Sequence, residues 1–506
     1  MSRLFRNITF NVLGQGLVLL LGFVGVRFIY GKLGADAFGI IYFNLILTGV
    51  LTTTLELGVL ATTIREVAAH HSDEPQYVER LIRTASLFYW TIGLILFAAV
   101  FMAAPLLVDK WVNLKSISPD TAATMLRFLA VTALVMLPRA LYASLCQGRQ
   151  RMELNNAIDV GASAIQQIGV IVILARGGDA FATVQWIALA AIISTSVYAT
   201  VVSFLFRPRV LMPGYFPEVV RRNFGFTRHM AALSVLNIVL LQFDKVVVSK
   251  LLPIATVGYY SFTSTLVIRI SFAGSAIAQA ALPSFASLHH LGERQGLLVQ
   301  YRKLQDLIGF GMVPLFAACN FLALPLYTYV FNRDIAWLLL APTALLTLGF
   351  FMYSTVNIPY IFSVAAGRPD IASRSYLLAV FMVVPLTTVL VVLFGLTGAA
   401  CSWVSYQLFL YAYMIPRICR QCLSISPWGW YLHVSKVLLL AAATYGPAWI
   451  FIVVPHGYSL LFLVIAFVIA SALFIGGAYA LIGPDLRGTI AQLPSRLIPR
   501  RVVNIS

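Results

Sequence analysis

Long apolar runs alternate with short polar connections along the whole chain. A helix needs about 20 apolar residues to cross a bilayer, and fourteen runs reach that length once turn-forming FGLTG (394–398) and PHGY (455–458) divide two longer ones. The pattern predicts an all-α polytopic membrane protein with about fourteen transmembrane helices. The predicted spans are 8–31, 38–62, 83–108, 123–145, 154–175, 181–205, 228–250, 255–281, 305–330, 336–364, 372–394, 397–418, 430–454 and 458–483.

The amino-acid composition agrees with a membrane protein, and the net charge helps to decide which kinds of molecule the protein binds. Hydrophobic residues make up 60% of the 506 residues and charged residues 10%, against about 25% charged in soluble domains. The net charge is +17, which in a soluble protein would suggest nucleic acid. Here the basic residues lie in short connections without a basic stripe of interleaved aromatics. We therefore expect no nucleic acid and expect contacts with anionic lipid headgroups.

The basic residues also predict an orientation. If the connections are numbered alternately from a cytoplasmic N-terminus, 23 Lys and Arg fall inside and 6 outside. Such an excess marks the cytoplasmic side, so both termini are predicted to be cytoplasmic. The first apolar run lacks a small-x-small cleavage site and is long enough to span, so we expect it to be retained as the first helix.

An internal repeat relates the two halves. FGIIYF (38–43) resembles VGYYSF (257–262), AHH (69–71) resembles LHH (288–290), Arg83 matches Arg302, and QGR (147–149) resembles AGR (366–368), each pair 219 residues apart. Because six spans is an even number, the duplicated bundles should share one orientation, as in parallel repeats. The predicted domains are a six-helix bundle (1–205), a cytoplasmic linker that is partly an interfacial helix (206–227), a second bundle (228–418) and two additional helices with a basic tail (419–506).

Charges inside spans are the candidate functional groups, because each costs about 2.5–3.5 kcal/mol at mid-membrane unless it faces a bundle interior or water. Arg269 lies near the middle of its span, in LVIRISFAGSAIAQ, and continues a polar stripe with Ser261 and Thr265. Arg27 and Lys245 lie near the outer ends of helices 1 and 7 and nearly superpose in the repeat.

Other polar groups are weaker candidates. Glu56 lies about a third of the way in from the cytoplasmic side, and Asp244 is a neutralising acid beside Lys245. Asn11 and Gln15 continue a polar stripe on helix 1. The remaining charges lie near span ends and are interpreted as interface anchors; they are Arg127, Arg139, Asp159 and Lys436.

Catalytic machinery is not recognisable in the sequence. No Gly-rich phosphate loop ends in Lys-Ser/Thr, so we expect no ATP-hydrolysing motor. The five cysteines do not form a disulfide framework or a second Cys-x-x-Cys pair for zinc. We therefore expect no catalytic residues, no metal and no cofactor.

Two stretches resemble a known family. LGADAFGIIYFNLILTGVLTTTLELGVLATTIREVA follows helix 1, and LQFDKVVVSKLLPIATVGYYSFTSTLV crosses helices 7 and 8. Both resemble polysaccharide-type flippases of the multidrug/oligosaccharidyl-lipid/polysaccharide exporter superfamily, above all the O-antigen and exopolysaccharide repeat-unit flippases. The resemblance covers roughly residues 1–420 and rests on the short motifs Leu-Gly, Phe-Gly and Gly-Tyr-Tyr within these two stretches. Many members have twelve spans, so helices 13 and 14 depart from that pattern.

The resemblance implies translocation of undecaprenyl-diphosphate-linked oligosaccharides from the cytoplasmic to the periplasmic leaflet of the bacterial inner membrane by alternating access. It suggests that Arg269 engages the diphosphate, with Arg27 and Lys245 in support and Asn11, Gln15 and Thr265 beside them. Glu56 would bind a coupling proton or cation or release an arginine, with Asp244 as a charge partner. Coupling to a proton or sodium gradient or to the membrane potential stays open. A polysaccharide polymerase and a chain-length regulator are candidate partners.

Three alternatives remain. A lipid II flippase of the same superfamily typically has fourteen spans but several Arg residues in helices 1 and 2, where this chain has Arg27 alone besides its end residues. A cation-coupled multidrug exporter usually carries an acid in helix 1, where this chain has Asn11, Gln15 and Arg27. A membrane polysaccharide polymerase or ligase needs a large periplasmic loop, and the longest predicted one is near 109–122.

Overall fold

The computed structural model describes residues 3–56, 59–149, 151–453 and 460–488; within these, it does not describe the side chains of 3–19, 51–56, 61, 226, 228–234, 280, 283, 286, 289–290 and 452–453. In the described ranges the regular structure is helical, apart from one isolated bridge between Asn113 and Pro253. The helices are α1 (Arg3–Glu56), α2 (Val59–His70), α3 (Pro75–Lys110), α4 (Pro119–Gly148), α5 (Met152–Ala175), α6 (Ala180–Leu205), α7 (Pro217–Leu251), α8 (Ile254–His290), α9 (Arg294–Val330), α10 (Arg333–Ala365), α11 (Pro369–Ile418), α12 (Pro427–Ala448) and α13 (Leu460–Leu481).

The helices account for the predicted number of spans. Eleven of the helices described are long and apolar enough to cross a membrane. α1 has 54 residues and would be roughly 80 Å long if straight, more than twice the apolar thickness of a bilayer. Instead it breaks at Gly34 (φ 83°), and the 50-residue α11 breaks at Gly395 (φ 57°). With each of these two helices counted as two and the 35-residue α7 included, the described helices agree with the fourteen predicted ones.

Local sequence explains where many helices begin and turn. Gly395 lies within the predicted FGLTG turn and takes a positive φ that glycine tolerates without strain. Five helices (α3, α4, α7, α11 and α12) have proline as their first residue, which suits a position whose N–H has no helical partner. The side chains of Asp179 and Asn332 cap α6 and α10. The predicted turn at 455–458 lies outside the described residues.

The helix boundaries of α3 and α9 follow the spacing of the internal repeat. α3 begins at Pro75 and α9 at Arg294, which are 219 residues apart, and the two helices end 220 residues apart at Lys110 and Val330. The segment 206–227, predicted as a linker with interfacial helix, contains a 3₁₀ turn (Pro208–Leu211), after which α7 begins at Pro217 and runs on into the seventh span. The repeat is thus expressed in helix length as well as in sequence.

Contacts divide the chain into two compact units, which are described separately below. The first unit extends to Phe262 and includes Tyr329–Phe331, and the second comprises Thr263–Thr328 and the chain from Asn332 onward. The chain passes from one unit to the other at three points, which lie inside α8, inside α9 and just after the end of α9. The predicted domains follow the repeat instead, and their boundaries stay predictions.

One end of the first unit, here called the Gly34 end, is closely packed. The backbone N–H groups of Lys115 and Ser116 donate to the Asp36 carboxylate at 2.7 and 2.6 Å. The Ile254 N–H donates to the Asn113 carbonyl at 3.0 Å. The chain after α3 is thus hydrogen-bonded both to the break in α1 and to the start of α8.

Candidate functional site

Arg269 lies on a polar exposed face of α8. In this 37-residue helix it is more than about 20 Å from either end. Within the part of the chain that the structure describes, it has no hydrogen-bond or ion-pair partner. The exposed positions on this stretch follow helical spacing and are Thr265, Arg269, Phe272, Ala273, Ala276 and Gln279.

The exposed side chains of α8 differ in size and polarity from those of a helix that is typical of contact with lipid. On α13, also in the second unit, most exposed side chains are large and apolar; they include Leu461, Phe462, Val464, Ile465, Val468, Ile469, Leu473 and Ile475. The exposed face of α8 carries only one large apolar side chain, Phe272, among its six positions. Small and polar residues around an unpaired guanidinium are typical of a helix face that lines water.

Arg27, in the first unit, has a definite partner. Its guanidinium carbon lies 3.9 Å from the centre of the Tyr329 ring, and Nη1 donates to the Tyr329 carbonyl. Tyr329 lies in the last turn of α9, where carbonyl groups have no helical partner and carry partial negative charge. Among the described residues Arg27 is therefore bound to the ring and the carbonyl of Tyr329, and to no acid.

Lys245 is buried beside an acid. Its ammonium lies 3.6 Å from Asp244 Oδ1, and the Lys245 side chain is 12% exposed. It also donates to the Leu241 carbonyl at 3.1 Å, and the Tyr260 hydroxyl donates to Asp244 Oδ2 at 2.7 Å. Lys245 and Asp244 thus form a neutral pair inside the first unit.

The remaining candidates are only partly placed. Thr265 shares the exposed face of Arg269. The side chains of Asn11, Gln15 and Glu56 lie outside the described residues. The roles predicted for these residues stay predictions.

Sequence reasoning missed one polar cluster in the first bundle. Arg139 on α4 and Asp159 on α5 form an ion pair of 2.5 Å instead of anchoring separately at the membrane interface. Ser194 Oγ accepts from Arg139 Nε at 2.8 Å, and the Tyr198 hydroxyl donates to Asp159 Oδ1 at 2.9 Å. Opposite charges near the same end of consecutive spans were the available signal. The cluster joins three helices of the bundle.

A second ionic cluster holds the start of α7. Arg222 donates to Glu74 at 2.9 Å and lies over the Tyr77 ring; this hydrogen bond lowers the pKa of Glu74 and raises that of Arg222. Burial alone would raise the pKa of Glu66, but donation from the Tyr77 hydroxyl and the Arg65 guanidinium lowers it overall. Glu66, Glu74 and Arg222 are therefore ionised at neutral pH, and the pair of Arg222 with Glu74 fastens α7 to the connection between α2 and α3.

No metal centre is evident in the ranges described above, where no group of three or more His, Cys, Asp or Glu side chains could hold an ion. The candidate groups described for each unit are cationic or hydrogen-bonding side chains on helices. Such groups can bind an anion.

Comparisons with solved structures agree with this architecture. The lipid II flippase MurJ in an inward closed conformation matches with a TM-score of 0.71 at 12% identity, over 95% of this chain and 100% of that one. An inward-facing multidrug resistance transporter of the MATE family, in the MOP superfamily, matches with a TM-score of 0.64 at 12% identity, over 83% of this chain and 96% of that one. At these identities the likeness establishes the fold, that of helical membrane transporters.

Sequence comparisons establish the family. A Shigella flexneri protein named for a proposed role as an O-antigen transporter is 22% identical over 427 residues, which are 82% of this chain and 98% of that protein. The family model described as polysaccharide biosynthesis protein matches residues 4–289, more than half of the 506 residues. The chain is therefore a multi-pass membrane protein that belongs to the polysaccharide biosynthesis protein family.

Proposed function

We propose that the protein is a flippase, not an enzyme. It moves undecaprenyl-diphosphate-linked oligosaccharide repeat units, of O-antigen or exopolysaccharide, from the cytoplasmic to the periplasmic leaflet of the bacterial inner membrane by alternating access. The observation that carries this proposal is Arg269, an exposed guanidinium near the middle of α8 that has no hydrogen-bond or ion-pair partner among the described residues. Family membership and the transporter fold support it.

The chemistry of Arg269 suits a diphosphate. A guanidinium is always charged and presents planar donors that match phosphate oxygens in pairs. Small and polar neighbours, among them Thr265, Ala273 and Gln279, leave room for a hydrated sugar. The isoprenoid tail remains in the bilayer while the diphosphate and the oligosaccharide pass along the polar face.

The direction of transport follows from charge. With both termini cytoplasmic and the membrane potential negative inside, an outward-moving anion gains about 2.3 kcal/mol per charge at 100 mV, or roughly 4–5 kcal/mol for two charges. Transport therefore needs no ATP-hydrolysing motor. Glu56 is our candidate for coupling to a proton or cation gradient in addition.

Complementation tests this function. Expression in a strain that lacks its own repeat-unit flippase is expected to restore surface polysaccharide, measured by gel profile and by the leaflet location of the lipid-linked intermediate. The same plasmid should not rescue a strain depleted of its lipid II flippase or raise drug resistance in an exporter-deficient strain. Rescue of the lipid II strain alone would establish that alternative. Failure in every strain, with the protein present in the membrane, would refute the flippase assignment.

A further inference from the structure

We infer that Arg27 is a gate residue, whose guanidinium passes from the last turn of α9 to the anionic head of the substrate and thereby opens the Gly34 end of the protein. This inference rests on the proposed function for the chemistry of its ligand. In this role Arg27 controls when the Gly34 end opens and does not hold the substrate throughout transport.

Four aromatic rings close the Gly34 end of the first unit. We call them the aromatic plug; they are Tyr30, Phe38, Tyr259 and Phe331. Every pair of these rings is in contact, with centroids between 5.1 and 6.2 Å apart. Edge-on and tilted pairs of this kind stabilise a folded protein by more than the burial of their apolar surface alone. The plug joins both arms of α1, the start of α8 and the residue that follows α9.

Backbone packing beside the plug is equally close. Gly39 and Gly258 are repeat equivalents, and a Cβ on Gly258 would lie 2.5 Å from the Phe38 ring and 3.3 Å from Gly39 Cα. A Cβ on Gly39 would lie 2.3 Å from the Ile254 carbonyl oxygen. Phe262, three residues beyond Tyr259, contacts Phe331 of the plug with ring centroids 5.6 Å apart. Its neighbour Ser261 is 4% exposed, so solvent access to position 261 measures whether this segment of α8 has become open to water.

Arg27 fastens the segment that completes the plug. It lies one turn before Tyr30 on α1 and holds both the ring and the carbonyl of Tyr329. Phe331 follows Tyr329 by two residues, so release of Tyr329 loosens the attachment of Phe331. Both of the contacts that the described structure gives Arg27 are with neutral groups.

A diphosphate is a stronger partner for Arg27 than either neutral group. With a diphosphate both partners are charged and the planar guanidinium can form two parallel N–H···O bonds, whereas Arg27 now donates through Nη1 to one neutral carbonyl. An arriving diphosphate therefore draws the guanidinium away from α9, and Phe331 can leave the plug. The gate then opens when substrate is present and stays closed without it, which limits leakage of ions.

Labelling of a cysteine at position 261 tests the gate. Ser261→Cys protein in nanodiscs is treated with a water-soluble maleimide and compared with the parent carrying only its native cysteines. We expect Tyr329→Ala and Arg27→Gln to raise the labelling rate roughly threefold or more, because each removes a cation–aromatic contact. Tyr329→Phe retains the ring and should keep labelling slow. Farnesyl diphosphate should raise the rate in the otherwise unchanged protein, whereas farnesol should not.

Arg127 supplies a matched control. Its guanidinium lies 5.3 Å from the Phe101 ring and donates to the Phe101 carbonyl, so Arg127→Gln removes the same kind of contact away from the plug and should leave labelling unchanged. Equal labelling in Arg27→Gln and Arg127→Gln, or no response to farnesyl diphosphate, would overturn the gate. The proposed function is tested separately, by measuring flipping of lipid-linked oligosaccharide in proteoliposomes. If the protein flips this lipid, the proposed function holds even when the gate is refuted. If it does not, the proposed function is refuted.

Discussion

Replacing Arg269 by glutamine is expected to lower the flipping rate at least tenfold. A hydrogen bond to a charged group contributes about 1.5–3 kcal/mol, and each 1.4 kcal/mol is a factor of ten. Arg269→Lys keeps the charge but loses the planar pair of donors, so we expect an intermediate rate. The measurement uses a fluorescent lipid-linked oligosaccharide in proteoliposomes. A membrane-impermeant reductant quenches the fluorophores in the outer leaflet, so the loss of fluorescence reports the flipping rate.

Protein levels separate this functional loss from a folding defect. Within the described residues Arg269 has no hydrogen-bond or ion-pair partner that its replacement would leave unpaired, and an uncharged side chain is easier to insert into a membrane than a charged one. Arg269→Gln should therefore accumulate in the membrane at least as well as the parent. Arg127→Gln, an arginine-to-glutamine change at another exposed membrane arginine, should retain the parental rate. Parental flipping by Arg269→Gln would remove Arg269 from the site.

Replacing Gly39 by alanine is expected to destabilise the closed Gly34 end. The added Cβ would lie 2.3 Å from the Ile254 carbonyl oxygen and 2.6 Å from its carbon, so backbone must move. Overpacking of this kind costs about 1–3 kcal/mol. We expect a lower melting temperature in detergent and faster labelling at position 261.

Gly31 is the matched control for Gly39, because a Cβ there meets no other atom within 4 Å and it lies on the same helix. Gly31→Ala should be neutral or stabilise by about 0.5–1 kcal/mol, since alanine is the better helix former. Equal melting temperatures and equally slow labelling for the two variants would show that the close approach at Gly39 does not hold this end shut.

Much of the fold could be predicted because membrane helices are local features. Runs of about 20 apolar residues set the spans, and the turn at Gly395 follows from glycine within FGLTG. The long α1 shows the limit of this reasoning. Its break at Gly34 lies between two predicted spans, yet the structure continues helix almost without interruption on both sides.

The site was less predictable, because partners far apart in sequence decide what each charge does. Arg27 meets Tyr329 across 302 positions, and no periodicity along α1 reveals this. The role predicted for Lys245 as a substrate ligand stays a prediction, and the sequence pattern does not reveal that Tyr260, one helix further on, donates to its neighbour Asp244. The polar stripe predicted through Ser261, Thr265 and Arg269 agrees with the structure at Thr265 and Arg269, which are exposed, but not at Ser261, which is 4% exposed.

Water access to position 269 tests the central claim most directly. Arg269→Cys is compared with Val468→Cys, a position 56% exposed on the apolar face of α13, using a negatively charged thiosulfonate reagent. Such reagents react with the thiolate, which forms in water and is suppressed in apolar surroundings. A polar, water-lined face predicts that position 269 reacts roughly tenfold faster or more. Equal, slow reaction at both positions would place Arg269 against lipid and contradict the account.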